Sequence, residues 1–169
     1  MMRTDDPRLE VGRKAMEERV NKYNALILAV IKGHLAIEQA IDSYLEVALF
    51  HPEHVRESRF NFSHKLQICR SMSLKQNEDR LWSVIWAANA LRNEIAHDLQ
   101  TEEIQNKADR LRRVYLEVLT PQQAESAKNA PDHQIAESAC YLSAGFLASL
   151  GWDAKERRAL LDKHWKPKS

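Results

Sequence analysis

Near the middle of the chain stands Leu91-Arg92-Asn93-Glu94-Ile95-Ala96-His97-Asp98, a run whose residue types and spacing could do phosphodiester chemistry. An α-helix turns about 100° per residue, so Asn93 and His97, four apart, share a face. Arg92 lies roughly 140° round from His97 on the same geometry, and its long side chain, or fraying of the helix near Asp98, can bring the guanidinium close. Cleavage of RNA by its own 2′-hydroxyl needs a base to take that proton and an acid to protonate the leaving oxygen. Histidine suits both tasks because it titrates near neutrality. Arginine grips a phosphate with two donors and stabilises charge as it builds. Asparagine can orient the imidazole or donate to the phosphate. One histidine cannot be acid and base at the same instant, but a two-fold dimer supplies two.

Other residues invite similar questions. His51-Pro52-Glu53-His54, with Glu57 beyond, holds two imidazoles and a carboxylate, a set compatible with zinc. The segment reads as a loop with no further ligand at a telling spacing, so surface histidines are the ordinary reading and no metal is expected. Arg110, Arg112 and Arg113 could meet phosphates, although Asp109 and Glu117 flank them in the manner of a solvated helix face. Trp82 and Trp86 are four apart and could stack bases, but their apolar neighbours favour packing in a core or dimer interface. Cys69 and Cys140 lack metal-ligand spacing and read as buried, reduced thiols.

The elements that must position these residues read as helices. Only four glycines and five prolines punctuate 169 residues, too few for the turns of a sheet protein. A first helix is expected from near Leu9 to Phe50, with apolar steps at Val20, Tyr23, Ile27, Val30 and Ile31. Ile37, Ile41, Tyr44, Leu45 and Ala48 continue the pattern. Gly33, in its middle, is a place for a bend or break. His51-Pro52 ends the helix, because proline disfavours α geometry in the residue before it. A polar connection then leads to about Asn61. The next helix, Ser63 to Met72, presents Leu66, Cys69 and Met72 on one side, with Asn61 or Ser63 as N-cap. The motif-bearing helix, from about Asn77 to Ala96, is apolar nearly all round and belongs in the middle of a bundle or in an oligomer interface. Thr101 is placed to cap a fourth helix holding Ile104, Ala108, Leu111, Tyr115 and Val118. Thr120 to Asp132 reads as a loop around Pro121 and Pro131, with at most a short helical turn. Two more helices, Gln134 to Leu150 and Asp153 to His164, are expected on either side of Gly151. Ala139, Leu142, Phe146 and Leu150 form a stripe that could dock on the bundle or extend a dimer interface. The tail Trp165 to Ser169 should fray.

Bulk properties fit a single all-α domain, an antiparallel helical bundle spanning residues 1–169. Its core would cover about 20–119, with a C-terminal helical extension at 132–164. The chain is 44% hydrophobic and 29% charged, as in soluble globular proteins. A net charge of +1, from 25 basic and 24 acidic residues, makes no strong electrostatic case for duplex nucleic acid but leaves room for a local basic patch. No helix combines exposed basic and amide residues in a recognition pattern, which weakens a DNA-binding regulator. Met1 to Glu18 is too charged for a signal peptide. Ala139 to Trp152, read as the longest apolar-rich stretch, is too short for a membrane span. The expected location is the cytoplasm, with no membrane partner.

Arg92 and His97, with four residues between them and a polar residue straight after the arginine, resemble the Arg-x4–6-His motif of the HEPN superfamily. Gly33-His34-Leu35-Ala36-Ile37-Glu38-Gln39-Ala40-Ile41 looks like the first long helix of that family, and Phe62-Ser63-His64-Lys65-Leu66 like the short helix after it. The resemblance covers roughly Tyr23 to Leu119; the last fifty residues match nothing recognisable. It implies a HEPN-type bundle that dimerises through its motif-bearing helices. It also implies a metal-independent endoribonuclease, without cofactor, that leaves a cyclic phosphate. Carried over, His97 is the acid/base, Arg92 the phosphate binder and Asn93 the orienting residue. Glu38 is a supporting candidate for pairing with Arg92 or His97. Such proteins act as toxins, in phage defence or in RNA processing, with RNA as substrate and in some cases an antitoxin or other protein partner. The family also contains members without shown activity, so a dimeric interaction module binding a protein, a nucleotide or RNA stands as the alternative.

Overall fold

The computed structural model describes residues 7–73, 79–97 and 101–164, and among them every regular element is an α-helix. Asn77, Asp98, the tail Trp165 to Ser169, and the side chains of Val20, Tyr23 and Thr101 lie outside what is described. The helices are α1 (Pro7–Ala48), α2 (Glu53–Glu57), α3 (Phe62–Met72), α4 (Asp79–His97), α5 (Thr101–Leu116), α6 (Pro121–Ala127) and α7 (Asp132–His164). The chain is thus all-α, as its periodicity requires.

Helix α4 is the centre of the core. Val84, Ile85, Ala88 and Leu91 are buried, and Trp82 packs edge-on to Phe146 of α7 with ring centroids 5.1 Å apart. Trp82 is therefore a core residue, and Trp86 is half-buried against the same cluster. Helices α4 and α5 run antiparallel: Arg80, at the start of α4, donates to the Glu117 carbonyl just past the end of α5. Asn61 caps α3 by accepting from the His64 backbone N–H at 3.0 Å.

Several expectations change. Gly33 neither breaks nor ends α1, which runs unbroken through it. It faces Cys140 so closely that an added Cβ would lie 2.5 Å from the Cys140 Cβ. Its missing side chain is what lets α1 and α7 touch. The two expected C-terminal helices are one, because Gly151 is buried within α7 beside Val47 and packing outweighs its weak helix preference. The connection after Pro52 contains α2, and the expected loop at Thr120 to Asp132 contains α6. Helix α6 starts on a capping box: the Thr120 hydroxyl accepts from the Gln123 backbone and the Gln123 side chain accepts from the Thr120 backbone. Finally, Ile31 and Leu142, expected on buried stripes, are exposed.

Helix α7 is part of the core. Ile135, Ala139, Phe146, Leu147 and Leu150 are buried, and its interface with α1 is the largest between any two helices. It departs from antiparallel order. Gly33 meets Cys140, Val47 meets Gly151, and the Leu49 carbonyl accepts from Arg158 at 2.7 Å, so residue numbers rise together along α1 and α7. Arg158 thereby satisfies a carbonyl at the end of α1, and Arg157 does the same for Met72 at the end of α3. Helix α7 begins on a clamp from α5, where Arg112 donates to the Asp132 carboxylate at 2.6 Å and to the Ala130 carbonyl.

The most apolar long segment is Asn24–Ala48, of mean hydropathy 1.3, rather than Ala139 to Trp152. Its length and composition would suffice to cross a bilayer. In the bundle, Val30, Ile37, Ile41, Tyr44 and Leu45 of this segment are buried against protein.

Candidate functional site

The last two turns of α4 alternate between core and surface. Leu91 and Ile95 are buried, so Arg92, Asn93, Ala96 and His97 are directed outward. Helix α1 passes alongside and contributes Ile27, Ile31, His34, Leu35 and Glu38, which recur at three- and four-residue steps along one face. Between the two helices lies a groove of about 570 Å³. Arg92 and His97 both line it, so the arginine does reach the histidine's side of the helix. Glu38 lines it as well. Its lining is largely apolar, with Ile27, Ile31, Leu35, Ile95 and Ala96.

Asn93 takes a different place. Its side-chain oxygen accepts from the Arg92 guanidinium at 3.3 Å, and it is not among the residues lining the groove. Its contact is with the arginine, whereas the shared helical face had suggested the histidine. Glu38 is likewise paired elsewhere: its carboxylate oxygen is 3.6 Å from Nδ1 of His34, one turn back on α1.

His34 is the member of the groove that residue-by-residue reading missed. It is only 4% exposed, yet it lines the groove with Arg92 and His97. Its Nε2–H donates to Oδ1 of buried Asn89 at 3.1 Å, and its ring lies against Phe62 with centroids 4.5 Å apart. Burial holds its pKa below the ordinary value and Arg92's charge pushes the same way, against the bond to Asn89 and the charge of Glu38. Burial thus favours the neutral imidazole, so its approach to the Glu38 carboxylate is an ion pair only when the ring is protonated. The available signal was spacing: His34 and Glu38 are four apart on α1, and Asn89 and Asn93 four apart on α4. Nothing in the sequence, however, pairs the two helices.

The remaining candidates sort themselves by contact. Arg112 is committed to Asp132, Ala130 and Lys128, which leaves Arg110 and Arg113 as exposed cations on α5. Burial would raise the Asp132 carboxyl, but hydrogen bonds from Arg112 and Gln105 outweigh it and hold the group below its ordinary value. Cys69 and Cys140 are buried free thiols, both pushed up to about 12 by burial, with the charge of Asp42 adding at Cys69. Neither is a nucleophile in the folded protein. The His51–His54 segment follows the C-terminal end of α1, whereas the groove is formed farther back along that helix.

No family model, curated protein or solved structure matches the chain.

Proposed function

We propose that this chain is a metal-independent endoribonuclease of the HEPN type, with Arg92 and His97 as its working residues. The observation that carries the reading is that both side chains, from positions 140° apart on an ideal helix, line one groove together with Glu38 and His34. In that reading Arg92 holds the scissile phosphate. One imidazole takes the 2′-hydroxyl proton as the 2′-oxygen attacks phosphorus. Another gives a proton to the 5′-oxygen as the P–O5′ bond breaks, leaving a 2′,3′-cyclic phosphate and a 5′-hydroxyl. Asn93 steadies the Arg92 guanidinium. Glu38 and His34 set the charge around it.

The second imidazole would come from a second copy of the chain. Leu28, Ile31 and Leu35 are each more than half exposed on α1, beside the groove, and would be covered in a homodimer formed there. RNA is the substrate in this reading, the cytoplasm its setting, and toxin, defence or RNA-processing work its role, with room for an antitoxin.

A dimeric interaction module is the second reading, favoured by the largely apolar lining and the near-zero net charge. Incubation of the purified chain with mixed tRNA and single-stranded RNA in EDTA separates the two. The nuclease reading expects cutting by the wild type and a loss of about 10²–10⁴-fold in His97→Ala, the usual worth of a general acid or base. Equal cutting by the two proteins would remove His97 from the mechanism. A folded, dimeric wild type that cuts neither substrate would favour the module.

A further inference from the structure

One cluster outside the groove has the chemistry of a binding site. His51, Glu53 and His54 sit where α1 ends and α2 begins. Their ligand atoms all lie within 4.8 Å of one another, and His51 Nδ1 is 3.0 Å from the Glu53 carboxylate. The backbone builds this arrangement. Pro52 holds φ at −65°, and the His54 N–H donates to the His51 carbonyl, which brings imidazoles three residues apart round to one side. The turn is fastened on both flanks: Arg56 forms an ion pair with Glu46 of α1, and the Ser58 hydroxyl donates to the His54 carbonyl at 2.6 Å.

We propose that His51, Glu53 and His54 form a binding site for a divalent transition metal of the zinc type. Two imidazoles and a carboxylate are a ligand set that zinc accepts, leaving a fourth position for water. Imidazole donors disfavour magnesium and calcium, which take oxygen ligands. Bonds of about 2.0–2.1 Å to a tetrahedral ion put its ligands about 3.4 Å apart. His51 and Glu53, 3.0 Å apart, stand close to that spacing, and the other separations, all within 4.8 Å, close by rotation of the side chains. His51 is 74% exposed and Glu53 43%, so an ion enters without any opening of the fold. The site is independent of the nuclease reading, whose groove contributes none of the three ligands.

The test is titration of the EDTA-stripped, dialysed chain with Co²⁺, followed by visible absorption, and with Zn²⁺, followed by calorimetry. One ion per chain is expected. Loss of even an outer-shell partner weakens metal binding about 10–100-fold, so His51→Ala/His54→Ala should lose more than tenfold in affinity. The isosteric Glu53→Gln should weaken binding too, while His97→Ala should leave it unchanged. Absence of saturable one-to-one binding overturns the proposal. So does undiminished affinity in the double variant, or loss of binding in His97→Ala, which would put the ion in the groove.

Discussion

Substituting Gly33 by alanine places one methyl group where the structure has no room for it. Alanine is the better helix former by about 0.8–1.0 kcal/mol, so on propensity alone the change should stabilise a helix as long as α1. The added Cβ, however, would sit 2.5 Å from the Cys140 Cβ and 2.7 Å from its Sγ. A Cβ is fixed to the backbone and cannot rotate away, so α1 and α7 must part by about 1 Å to restore ordinary contact. Overpacking of this kind costs about 1–3 kcal/mol, and the upper end applies where the obstacle is another backbone-fixed carbon. The expected net result is destabilisation of about 1–2 kcal/mol, a fall in Tm of roughly 2–8 °C for a chain of this size. Urea unfolding of wild type, Gly33→Ala, Cys140→Gly and the double variant measures it. Cys140→Gly removes both obstructing atoms, so the double variant should recover at least about 1 kcal/mol relative to additivity. Cys140→Ala keeps the Cβ and should recover much less. A neutral or stabilising Gly33→Ala would refute the close approach of α1 and α7. Since His34 is the next residue, that result would also undermine the placement of the His34–Asn89 bond beside the groove.

Two further outcomes follow from the buried titratable groups. His34 takes its proton at lower pH in the folded chain than its ordinary value of 6.5. Below about pH 6.5 the unfolded chain therefore binds more protons. The His34 contribution should be complete above that pH and fade as pH falls toward the folded-state value, with a slope of at most about 1.4 kcal/mol per pH unit. Urea midpoints at pH 5 and 7.5 should differ less in His34→Gln than in wild type, and equal differences would count against a buried imidazole. Cys69 and Cys140, both at about 12, should react with Ellman's reagent far more slowly in the native protein than in urea. Rapid native labelling of both would show that they are not buried in the core.

Some features were legible because they are local. The Asn61 cap, the proline stop at the end of α1 and the nearly all-round apolar character of α4 depend on neighbours a turn or two away, and the structure has them as read. Gly33 and Gly151 escape the same local logic, since α1 and α7 run straight through them. Glycine is a weak helix former in isolation, but here each is held in a helix by a partner more than a hundred residues distant in sequence. Ile31 belongs to the apolar repeat of α1 yet faces outward, since periodicity marks a stripe without saying what covers it.

The candidate site divides along the same line. Arg92, Asn93 and His97 stood out in the sequence because helical spacing relates residues on one element. By itself the sequence determined that this chain would be helical, which residues each helix would offer, and where the reactive types cluster. Only the tertiary structure decided that α7 runs beside α1 in the same direction, and that His34 and Asn89 join α1 to α4 beneath the groove. The physical reason is one of range. Helical hydrogen bonds and caps act within a few residues, whereas burial and side-chain pairing are set by whichever surfaces fit, at any separation along the chain.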